Sequence, residues 1–195
     1  MCDEELWQSF QEGDKQSYAA LYEVYFPVLY EYGMRLCKDA EIVKDCIQDL
    51  FVKLWVNRGN LKQTDAVRPY LYTALRNGIL NRLSQAGRMA KREERASQTC
   101  SFDICYTAED TLIRMDEQAA RSVYVTKALN RLTPRQKESI FLRFYVGLNY
   151  EEIAAIMQIS VKASYKITGR AIDFMRKYFK EAAAYSLLLV LLLLK

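Results

Sequence analysis

Within RPYLYTALRNGILNRL, three kinds of recognition chemistry alternate: the rings of Tyr70 and Tyr72, the guanidinium groups of Arg76 and Arg82, and the amides of Asn77 and Asn81. Rings give unpaired bases a stacking platform, guanidinium groups hold phosphates, and amides bond exposed base edges, so the set suits single-stranded nucleic acid. The competing reading is structural, with the rings filling a helical core beside Leu71 and Leu75. A second set lies near the end, in LNYEEIAAIMQISVKASYKITGRAI, where two short helical patterns meet at a turn. The second pattern carries Lys162, Lys166 and Arg170 on one side, as in a helix-turn-helix whose second helix enters the DNA major groove. A plain helical hairpin with a basic face is the alternative. Ala154 suits the tight crossing of such a pair, because a bulky side chain there would push the axes apart, and Ile159 plugs the turn.

Catalysis and metal binding find little support. The chain holds no histidine, and Cys2, Cys37, Cys46, Cys100 and Cys105 are odd in number with no CxxC spacing, which argues against a zinc site or a disulfide framework. A reducing compartment follows, with Cys46 as a small core residue on an apolar helical face. No catalytic cluster is visible, so neither an enzyme nor a cofactor is expected. The opening MCDEELWQSF is acidic where a secretory signal would be basic, and the expected location is cytoplasmic. A net charge of +4 is mild, so partners are judged from where charge sits.

The elements that must position these residues are helices. Hydrophobic residues make up 51% of the chain, with only 7 Gly and 3 Pro, and strand-like alternation is scarce, so an all-α fold is expected. In DAEIVKDCIQDLFVKLW, Asp39 is a natural N-cap, and Ile42, Val43, Cys46, Ile47, Leu50, Phe51, Leu54 and Trp55 form one stripe. The opposite face carries Asp45, Gln48, Asp49 and Lys53. Upstream, SYAALYEVYFPVLYEYGMRL has apolar residues at helical spacing, with a break expected at Pro27, and these helices form a small bundle. Gly59, Thr64, Asp65 and Pro69 mark a loop before the Tyr70 helix.

The apolar period then fails. Residues 87–108 mix dense charge with Ser, Thr and Gln and read as a flexible linker between two small domains, 1–86 and 109–181. Lys91, Arg92 and Arg95 are interleaved with Glu93 and Glu94, a solvated charge run. The second domain opens with LTPRQKESIFLRFYVG: Thr133 caps, Pro134 takes the first helical position, Gln136 completes a capping box and Gly147 ends the helix. Asn149 with Glu152, and then Ser160, cap the two helices of the helix-turn-helix. Residues 182–195 form an apolar tail whose stretch from Leu187 to Leu194 is far below the roughly 20 residues needed to span a bilayer.

In their order, DAEIVKDCIQDLFVKLW, RPYLYTALRNGILNRL and LTPRQKESIFLRFYVGLNYEEIAAIMQISVKASYKITGRA resemble the sigma-70 family of RNA polymerase sigma factors. The likeness is to the extracytoplasmic function (ECF) group, small factors that keep only the second and fourth conserved regions. The connecting FDICYTAED is similar to the Bacteroidetes type, which sits beside outer-membrane nutrient-uptake systems. The resemblance implies partners: core RNA polymerase, promoter DNA and a membrane-associated anti-sigma factor. It implies that Asp45, Gln48, Asp49 and Lys53 dock on the polymerase. Tyr72, Arg76, Asn77, Asn81 and Arg82, with the loop from Lys62 to Arg68, would capture the unpaired minus-ten strand. Lys162, Ala163, Tyr165, Lys166 and Arg170 would meet the minus-thirty-five element. Such factors melt DNA with binding energy, since a pocket holding an extruded base offsets the few kcal/mol that unpairing costs. Three positions depart from the pattern: Gln158 stands where the turn usually has Gly, Ser164 occupies a Val-like position, and Gly169 weakens the recognition helix by roughly 1 kcal/mol. A conventional helix-turn-helix regulator and a helical adaptor protein are the other two classes.

Overall fold

The computed structural model describes residues 3–61, 66–92, 102 and 125–193, and among them every regular element is a helix. The chain divides into two compact units, Met1–Phe102 with Ala155–Gln158 and Asp103–Ala154 with Ile159–Lys195, the short stretch 155–158 being continuous in sequence with the second. The first unit holds α1 (Asp3–Gln11), α2 (Lys15–Leu36), α3 (Ala40–Asn57), a 3-10 turn (Arg58–Asn60) and α4 (Val67–Arg92).

Side-chain caps fix where two of these helices start. The Asp14 carboxylate accepts from the Ser17 N–H at 2.8 Å and the Ser17 hydroxyl at 2.6 Å, and these bonds hold its pKa below the usual carboxylate value. Asp39 does the same for α3, accepting from Glu41 N–H at 3.0 Å and Ile42 N–H at 3.2 Å. Helical spacing then sorts residues inward: Leu21, Tyr25, Leu29, Tyr32 and Leu36 from α2 are buried against Val43, Ile47, Leu50 and Leu54 of α3 and Leu71, Leu75 and Ile79 of α4. Leu6, Trp7 and Phe10 of α1 close this core, a contribution the sequence reading did not anticipate.

The expected break at Pro27 does not occur. Helix α2 runs its full 22 residues through it. Pro27 lies on the exposed side of the helix, as does Glu23, so the carbonyl that loses its intrahelical donor is on the side open to solvent. The stretch read as a linker also begins as helix, since α4 continues to Arg92. Within it Phe102 is buried, with its ring 5.9 Å from Tyr32; residues 93–101 and 103–108 lie outside the described residues.

Gly33 sets the crossing of α2 over α3. A Cβ there would lie 2.5 Å from Val43 Cγ1 and 3.3 Å from Ile79 Cδ1. Overpacking costs typically 1–3 kcal/mol, and alanine's better helix propensity returns about 1 kcal/mol. Gly33→Ala is therefore expected to destabilise the first unit by about 1 kcal/mol in a urea titration, whereas propensity alone would make it stabilising.

The second unit contains a helical segment over residues 125–130, here α5, then α6 (Pro134–Ile140), a π-helical turn (Phe141–Tyr145), α7 (Tyr150–Met157) and α8 (Val161–Leu193). The capping box at Thr133 is formed in both directions: Gln136 N–H donates to Thr133 Oγ1 at 3.4 Å, and Thr133 N–H donates to Gln136 Oε1 at 3.0 Å. The chain leaves the π turn at Gly147, whose φ of +84° needs a glycine. Leu129, Leu132, Leu142, Leu148, Ile153, Ile156 and Ala171 make the core. Helix α8 carries the apolar tail as far as Leu193, and among the described residues no helix is long and apolar enough to cross a membrane.

Candidate nucleic-acid interface

In the first unit, α3 and α4 lie side by side, and a groove of about 460 Å³ runs between them. Asp49 and Lys53 line it from α3; Asn77, Asn81 and Arg82 line it from α4. Asp45, Gln48, Asp49 and Lys53 are all exposed. The sequence reading gave the α3 carboxylates and the α4 cations different partners, and the structure joins Arg82 to both Asp45 and Asp49. Arg82 donates from Nη1 to Asp45 Oδ2 at 2.9 Å and from Nη2 to Asp49 Oδ2 at 2.7 Å. Those two bonds, Asp45's first, raise the guanidinium pKa, so the group stays cationic. At the groove floor burial pushes the Cys46 thiol pKa up, which suits the core role expected of it.

Tyr72 is a correction. It is only 2% exposed, its ring lies 5.0 Å from that of Tyr32, and it faces α2 together with Leu71, Leu75 and Ile79. Two residues along a helix swing a side chain about 200° round the axis, so Tyr70 and Tyr72 cannot share a face. Tyr70 is the ring at the surface, 41% exposed and set edge-on to Trp7 at 5.7 Å. Arg68 and Asn81 are exposed, and Arg76 and Asn77 are half-buried. Lys62, with the neighbouring 63–65, lies outside the described residues.

The second unit builds its turn from local bonds. Asn149 and Glu152 form a reciprocal cap: Glu152 N–H donates to Asn149 Oδ1 at 2.8 Å, and Asn149 N–H donates to Glu152 Oε2 at 2.7 Å. Helix α7 ends at Gln158, where φ is +54°, and Ile159 N–H closes back on Ala154 O at 3.0 Å. A left-handed residue with a Cβ costs on the order of 1 kcal/mol, which is why this turn usually carries glycine. Ser160 then caps α8 through Ala163 N–H at 3.2 Å.

The other departures also acquire a physical meaning. Ser164 is fully buried, and its hydroxyl lies 2.9 Å from Tyr150 O and 2.8 Å from Val161 O, pinning α8 to the start of α7. Gly169 faces open space, with nothing within 4 Å of an added Cβ. Gly169→Ala should therefore raise the stability of the second unit by about 1 kcal/mol, read as a higher thermal midpoint. Lys162, Lys166 and Arg170 are exposed along α8, and Ala163 is half-buried. Tyr165 is exposed but already partnered, its ring stacked on Tyr150 at 3.8 Å. The Arg143 guanidinium sits 4.9 Å from the Tyr150 ring and donates to Leu148 O at 2.7 Å. Aromatic residues at 150 and 165 were the only available signal for that stack.

A polar, charged α3–α4 groove in one helical unit and a capped helix-turn-helix in the other are a combination whose chemistry suits nucleic-acid binding. The family comparisons agree. Residues 21–89 match the model for Sigma-70 region 2, and residues 122–175 match the model for Sigma-70, region 4. RNA polymerase sigma-H factor of Pseudomonas aeruginosa is 26% identical over 167 residues, covering 82% of this chain and 84% of that protein. ECF RNA polymerase sigma factor SigM of Bacillus subtilis is 22% identical over 147 residues, covering 75% and 84%. Among solved structures, the sigma factor RpoE in its co-crystal with the anti-sigma factor NepR from Bartonella quintana shares the fold. Its TM-score is 0.62 at 22% identity, over 85% of this chain and 98% of that one. The chain belongs to the sigma-70 family and is an ECF sigma factor, a transcription initiation factor that binds core RNA polymerase and directs it to promoter DNA.

Proposed function

We propose that the two units divide promoter work as follows. Residues 1–86 dock on core polymerase through Asp45, Gln48, Asp49 and Lys53 of α3, and hold the melted minus-ten strand with Arg68, Arg76, Asn77, Asn81 and Arg82. Lys62 joins them, and Tyr70 replaces Tyr72 as the ring on which a base stacks. Residues 109–181 seat α8 in the major groove of the minus-thirty-five element through Lys162, Ala163, Lys166 and Arg170. Tyr165 contributes its exposed edge while stacked on Tyr150. Residues 87–108 connect the two, and 182–195 form an apolar tail.

The observation that supports this reading most is the α3–α4 groove, lined by Asp49 and Lys53 of the proposed docking set and by Asn77, Asn81 and Arg82 of the proposed strand-binding set. The protein acts in the cytoplasm and is of the Bacteroidetes type, as the FDICYTAED connection suggests. An anti-sigma factor, membrane-associated in this case, controls it, in keeping with the anti-sigma complex of the Bartonella quintana relative. The test is reconstitution. The purified chain, core RNA polymerase and a cognate promoter should give specific initiation only when all three are present. Specific duplex binding by the chain alone, or faithful starts without it, would overturn the reading.

A further inference from the structure

Arg82 belongs by position to the strand-binding helix, yet its guanidinium is engaged by two carboxylates on the docking helix. The fork spans Asp45 and Asp49, one helical turn apart on α3, at 2.9 and 2.7 Å. All three groups remain open to solvent, with side-chain exposures of 36%, 56% and 55% for Arg82, Asp45 and Asp49. An ion pair this exposed gains little over hydration, so a competing cation can displace it at small cost. The carboxylates are also the natural seat for cationic side chains of a protein partner. In the free protein that seat is taken by the chain itself.

We propose that Arg82 is a self-occupying latch: it fills the Asp45–Asp49 seat in the free sigma factor, cationic side chains of core polymerase displace it on docking, and the released guanidinium then holds the phosphates of the unpaired strand. The latch rests on the division of labour proposed above. It couples the two events, since occupation of the docking seat by the polymerase favours release of the strand-binding cation. It also disfavours premature contact between the free factor and stray nucleic acid.

The test compares wild type, Arg82→Gln, Arg82→Lys and the triple variant Arg82→Gln/Asp45→Asn/Asp49→Asn, all full-length, in binding to core polymerase without DNA. Breaking two exposed pairs should make Arg82→Gln bind core about 3- to 10-fold tighter. Arg82→Lys, which cannot fork across both carboxylates, should gain less, and the triple variant should lose the gain. The Arg82→Gln holoenzyme should in turn hold a single-stranded oligonucleotide more weakly, with a salt slope shallower by about 0.7. Core binding by Arg82→Gln that is equal to or weaker than wild type overturns the latch, because Arg82 would then be presenting the carboxylates rather than covering them. Unchanged strand capture overturns the handover. Failure of the wild-type chain to bind core at all overturns the underlying division of labour instead, and the latch with it. Arg82 is a surface residue, and matching far-UV circular dichroism and Arg82→Lys behaviour guard against a folding artefact.

Discussion

Trp7→Ala is expected to lower the stability of the first unit by about 3–5 kcal/mol, the range for truncating a large buried aromatic. A domain's whole stability is about 5–15 kcal/mol, so the variant should be partly unfolded at modest temperature. Trp7 is 2% exposed, with its ring 5.4 Å from Phe10 and 5.7 Å from Tyr70, so it joins α1 to the start of α4. Phe10 carries the contact on to Tyr18 at 5.8 Å and Trp55 at 6.4 Å. Losing Trp7 therefore opens a cavity under α4, the helix that bears the strand-binding groups. The indole Nε1–H is buried with no hydrogen-bond partner among the described residues, so Trp7→Phe removes that donor along with some volume. That milder variant should lose less than half as much. Urea unfolding of both variants decides the matter, and a Trp7→Ala midpoint matching wild type would show that α1 is not part of the core.

The second large effect is on DNA. Changing Lys162, Lys166 and Arg170 together to alanine should weaken promoter binding by the holoenzyme about a hundredfold near physiological salt. Each phosphate contact releases condensed counterions, and each lost cation should make the salt dependence shallower by about 0.9, or nearly 3 for the set. The three side chains are exposed on the outer face of α8, so the fold should be untouched. If they hold only phosphates, the two affinity lines converge towards 1 M salt, where counterion release no longer contributes. A gap that persists there, with relaxed preference at one base pair, would assign one of them to a guanine edge instead. An unchanged salt slope would remove α8 from the interface.

Local signals were the legible part. Asp39, Thr133 with Gln136, and Asn149 with Glu152 each announced a helix start, and each cap is formed. The α3 stripe was readable because its period is helical and six of its members are buried. Helix α1 was missed because Leu6, Trp7 and Phe10 are few and sit in an acidic, unpunctuated start. Pro27 misled because a local rule about a missing donor ignores whether water can reach the freed carbonyl. Tyr72 misled because composition does not set helical phase: its side is fixed by Tyr32, 40 positions earlier in the chain. The Arg82 pairs were invisible for the same reason, spanning 37 and 33 residues.

The backbone at Gln158 also bears on how this sequence can drift. Its φ of +54° favours glycine or asparagine, but neither codon can be reached from a glutamine codon by a single base change. The one-step neighbours are lysine, glutamate, proline, leucine, arginine and histidine, and of these only histidine has a marked tolerance for the left-handed region. Relief therefore lies across a mutational gap, and lineages descending from this chain should keep glutamine at the turn, or pass through histidine, more often than the strain alone would suggest.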